Sequence, residues 1–81
     1  MNLDELKSRL SFILTHEEDH EVDWNLVEHL SLSLQDELRR DPPLGWPADL
    51  VEGFLSGFTC RRSDPVLAHA QRSRMVAFLR S

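Results

Sequence analysis

Two proline-bearing breaks, Asp41-Pro42-Pro43 and Asp64-Pro65, divide this chain into stretches whose apolar residues recur every three or four positions. That period gathers apolar groups on one side of a helix. Proline ends a helix because it lacks an amide donor and biases the residue before it out of the α conformation. Short connections between amphipathic helices leave little choice but mutual burial of the apolar stripes. The expected fold is therefore all-α, a small antiparallel bundle of about four helices over roughly 2–18, 23–40, 47–59 and 64–80. Dimerisation is a way to complete its core.

The stripes are specific. Leu3, Leu6, Leu10, Ile13 and Leu14 share one side of the first segment, with Asn2 and Glu5 as an imperfect capping box and Phe12 pointing away. Asp23 caps the second segment, whose ridge is Leu26, Val27, Leu30, Leu34 and Leu38, with Trp24 at its edge. Leu30-Ser31-Leu32-Ser33-Leu34 also alternates like a strand, but its flanks favour a helix that turns Leu32 off the ridge. Pro47 suits a first helical position before Leu50, Val51, Phe54, Leu55 and Phe58. Asp64-Pro65 repeats the cap-then-proline start before Leu67, Ala68, Met75, Phe78 and Leu79.

A chain of 81 residues is expected to make one domain, 1–81, with a thin stability margin that a dimer would widen. Its hydrophobic share of 41% is enough for a packed core and argues against disorder. The lone Cys60 has no internal disulfide partner, which points to a reducing compartment. No signal-peptide pattern opens the chain, and no apolar run approaches the roughly 20 residues that span a bilayer. The expected location is the cytoplasm, away from membranes.

One string names a reaction: His16-Glu17-Glu18-Asp19-His20, His-Glu-x-x-His. On a helix this spacing puts two imidazoles on one face to hold zinc, with the glutamate as general base. Here Glu18 and Asp19 fill the variable positions, Glu21 and Asp23 follow, and no spaced third histidine appears. The segment reads as a solvated turn. The expectation is no enzyme, no metal and no cofactor, with zinc held by His16 and His20 as an alternative. Cys60 beside Arg61 and Arg62 lacks a paired base, and Gly53 and Gly57 offer a smooth strip for close helix packing.

Charge suggests partners. Residues 1–52 hold thirteen acidic groups against four basic ones, whereas residues 53–81 hold one acid against five arginines. The acids concentrate at Glu17, Glu18, Asp19, Glu21 and Asp23. Some of them favour the N-terminus of the second helix, and the rest can steer a basic partner. Trp46, held between Pro43 and Pro47, either folds back over the bundle end or, if exposed, joins Phe12 and Leu32 as an apolar anchor. Arg61, Arg62, Arg72, Arg74 and Arg80 raise a DNA-binding alternative, but helix geometry scatters them instead of aligning one stripe. The expected function is a non-catalytic, regulatory or inhibitory protein-binding module of the antitoxin, immunity, phage-inhibitor or adaptor type. It would dock a basic partner through Glu17, Glu18, Asp19, Glu21, Trp46, Phe12 and Leu32.

Overall fold

Asn2 opens the first helix by accepting the amide of Glu5 at 2.8 Å, Asp23 opens the second by accepting Leu26 at 3.1 Å, and Asp64 opens the last by accepting Val66 and Leu67. Each cap satisfies amide donors that a helix start leaves unpaired. In the computed structural model, which describes residues 1–81, five helices follow. They are α1 (Leu3–Glu17), α2 (Trp24–Arg40), α3 (Ala48–Ser56), α4 (Phe58–Ser63) and α5 (Pro65–Leu79). There are no strands, and the helices pack into a small all-α bundle. No helix is long and apolar enough to cross a membrane.

The core is one cluster. Leu6, Leu10, Ile13 and Leu14 of α1 meet Val27, Leu34 and Leu38 of α2, Val51, Phe54 and Leu55 of α3, and Met75 of α5. They are the centre of the stripes expected in the first three segments; Leu3, Leu30, Leu50 and Phe58 are half-covered against the cluster, and Leu26 is half-covered outside it. In α5 only Ala68 and Met75 are fully buried, while Leu67, Phe78 and Leu79 are half-covered. Outside the core, Arg9 pairs with Glu37 across α1 and α2, and Lys7 stands 5.2 Å over the Phe78 ring.

The strand-like stretch of α2 resolves by angle. At about 100° per residue, Ser31 falls among Val27, Leu34 and Leu38, so it faces inward while Leu32 faces out. Ser31 is wholly buried and its hydroxyl has no hydrogen-bond partner. An unpaired buried hydroxyl opposes folding. Ser31→Ala is therefore expected to raise the unfolding free energy by about 1 kcal/mol, helped by alanine's higher helix propensity. Urea denaturation reads this directly, and a loss of stability would show that the hydroxyl has a partner.

The third segment departs from expectation. One helix to about residue 59 followed by a loop is replaced by α3, a kink at Gly57, and α4 running to Ser63. The Gly57 amide donates to Phe54 O at 3.2 Å, tightening the turn, and its carbonyl accepts the Arg61 amide at 2.9 Å, restarting the helix. A Cβ at Gly57 would meet Gln71 Oε1 at 2.8 Å and Gly53 O at 3.0 Å, so glycine admits α5 close to the kink. The kink turns Arg61 inward.

Candidate functional site

The helix needed by His-Glu-x-x-His stops inside the motif. α1 ends at Glu17, Glu18 donates its amide to Leu14 O at 3.0 Å, and His20 lies in the exposed turn beyond. His16 is half-buried, with its ring edge-on to Phe12 at a centroid distance of 4.6 Å. The two imidazoles therefore do not sit one turn apart on a helical face. No group of three or more His, Cys, Asp or Glu side chains converges in metal-holding geometry.

Glu17, expected on the acidic surface, is the main correction. Its side chain and that of Arg61 are both fully buried and form a two-pronged pair, Nε to Oε1 at 2.8 Å and Nη2 to Oε2 at 2.9 Å. Arg61 Nη1 donates to Phe54 O and to Gln71 Oε1, and the guanidinium lies 4.0 Å from the Phe54 ring centroid. Arg72 adds longer contacts to Glu17 Oε1, at 3.4 Å from Nε and 3.3 Å from Nη2. Planar fork geometry suits arginine to this role, and burial demands that the donors be satisfied. The network ties the end of α1 to α4 and α5.

Sequence spacing carried a signal for this network. Glu17 stands three residues after Leu14 and seven after Leu10, on the buried stripe itself. Arg61 stands three after Phe58 and seven after Phe54, and Arg72 lies four after Ala68 and three before Met75. Charge alone disguised them as surface residues. Within the arginine-rich segment, Arg61 is buried and Arg72 is engaged, leaving Arg62, Arg74 and Arg80 exposed.

The remaining acids form a surface. Glu18, Asp19, His20 and Glu21 are consecutive and exposed, while Asp23 is occupied as the α2 cap. Asp19 Oδ1 accepts the His20 amide at 2.7 Å. Along α1 from this turn, past His16, Phe12 is 54% exposed. It walls a groove of about 290 Å³ with Ser8, Arg9, Ile13 and Leu30.

The other expected anchors do not join this surface. Trp46 is half-buried and packs against the core, because the loop folds back over the bundle. Gly45, at φ +74°, makes that turn and leaves Leu44 at its tip, 97% exposed. Leu44 was the missed apolar group there. Leu32 is exposed but lies two residues beyond Leu30, roughly 200° around α2, so it and Phe12 do not form one patch. Cys60 is free and exposed. No protein-family model, curated protein or solved structure matches this chain.

Proposed function

We propose that this chain is a small, non-catalytic protein-binding module of a regulatory or inhibitory kind, working in the cytoplasm on a basic protein partner. The observation that carries this reading is Phe12, more than half exposed beside an apolar groove and continuous through His16 with the Glu18–Glu21 turn. An exposed aromatic on a rigid helix anchors a partner with little loss of freedom on binding. The carboxylates of Glu18, Asp19 and Glu21 attract a basic surface and raise the association rate in a salt-dependent way. Glu17, Trp46 and Leu32 have no part in this surface.

The test compares captures. Wild-type protein, Phe12→Ser and the triple variant Glu18→Gln, Asp19→Asn, Glu21→Gln are immobilised, and bound proteins are identified and then purified for kinetics. A basic partner is expected whose affinity falls about 10- to 100-fold with Phe12→Ser. The triple variant is expected to slow association several-fold at low salt and to converge on wild type at high salt. Equal capture and equal kinetics by all three proteins would contradict the proposal.

A further inference from the structure

A second concavity, of about 630 Å³, lies on the other side of the end of α1, against α4 and α5. Two guanidiniums, Arg61 and Arg72, and two carboxylates, Glu17 and Glu18, line it, and only Glu17 is bonded to the arginines. Every guanidinium nitrogen of Arg61 is engaged, with Glu17, Gln71 or Phe54 O. Arg72 differs. It spends Nε and Nη2 on one oxygen, at 3.3–3.4 Å, its Nη1 makes no protein hydrogen bond, and its side chain is 25% exposed. One edge of the Arg72 guanidinium fork is therefore left without a protein partner beside the groove.

We propose that this groove binds a small aliphatic carboxylate on the free edge of Arg72. The two oxygens of a carboxylate match the two donors along a guanidinium edge. Val22, Ala68 and Val76 line the walls and offer an apolar bed for a short hydrocarbon body, with Ser73 supplying a hydroxyl. Glu18 stands at the same groove, exposed, and disfavours ligands with a second negative charge. That combination selects a monocarboxylate over inorganic phosphate. The groove is independent of the Phe12 surface, so either proposal can fail alone.

The experiment is a titration of the full chain with 4-methylpentanoate, followed by ¹H–¹⁵N correlation spectra that include the arginine Nε–Hε signals. Saturable shifts centred on Arg72 and Ser73 are expected, with a dissociation constant of about 1–10 mM for so small a ligand. The uncharged 4-methylpentanamide and inorganic phosphate are expected to bind at least about 10-fold more weakly. Arg72→Gln should remove the saturable shifts, and Arg72→Lys, which keeps charge but not the fork, should fall between. The proposal is overturned if the wild-type shifts do not saturate, if the amide or phosphate binds as well as the carboxylate, or if a folded Arg72→Gln binds like wild type. The wild-type arms decide the matter even where a variant is unstable.

Discussion

Glu17→Ala is expected to lower the unfolding free energy by about 3–5 kcal/mol, the range found when one partner of a buried ion pair is removed. The sign makes this prediction sharp. A solvated Glu17 would sit at the negative end of the α1 dipole, beside Glu18 and Asp19, and alanine there would be neutral or slightly stabilising. Buried as it is, Glu17 is the only carboxylate paired with Arg61 and Arg72. Its loss strands the Arg61 guanidinium out of water with only neutral acceptors. Arg72, at the margin, can turn out to solvent, but Arg61 cannot. Since small domains are stable by only about 5–15 kcal/mol, the variant should be close to unfolded at physiological temperature. Thermal and urea unfolding followed by circular dichroism measure the loss, and Glu17→Gln, which keeps the shape, should show most of it.

Phe54→Ala is expected to be comparably severe, at about 3–5 kcal/mol. Phe54 lies in the centre of the core at the end of α3 and is in van der Waals reach of the Arg61 guanidinium. Truncation opens a cavity and removes the aromatic face on which the buried charge rests. Phe54→Leu restores most of the volume without the ring, so it should recover the larger part of the loss. The deficit that persists in the leucine variant reports the cation–ring contact. Urea unfolding of the two variants side by side separates the two contributions, and equal losses would mean that packing volume has no role at this position.

Most of the fold was legible because its determinants are local. Asn2, Asp23 and Asp64 cap the helices where their positions suggested, and the ridges of α1 and α2 supply seven of the eleven residues of the core cluster. The failures share a cause. The extension of helix through residues 58–63 depends on Gly57 making room for Gln71 of α5, a contact between distant parts of the chain. Glu17 and Arg61 are 44 residues apart, and nothing local reveals that each neutralises the other. Their stripe positions predicted burial, but the ordinary cost of burying charge argued the opposite until both partners were placed. Trp46 could equally fold back or project from sequence alone, and the turn at Gly45, with its positive φ, goes with an indole packed on the bundle and Leu44 at the tip. Of the seven residues expected at a surface from pattern alone, Phe12, Glu18, Asp19, Glu21 and Leu32 are exposed, whereas Glu17 is buried and Trp46 half-buried.

Glu17, from the most acidic run of the chain, is withdrawn to pair with Arg61 inside the bundle. A double-mutant cycle on Glu17→Leu and Arg61→Met tests this pairing most directly, with unfolding free energies measured for all four proteins. Each single variant leaves an unpaired buried charge, whereas the double variant leaves an apolar contact, and such replacements are often close to neutral. The predicted result is a coupling energy of at least about 2 kcal/mol, with the double variant more stable than Glu17→Leu alone. Losses that add to within about 0.5 kcal/mol would contradict the pairing and return Glu17 to the surface.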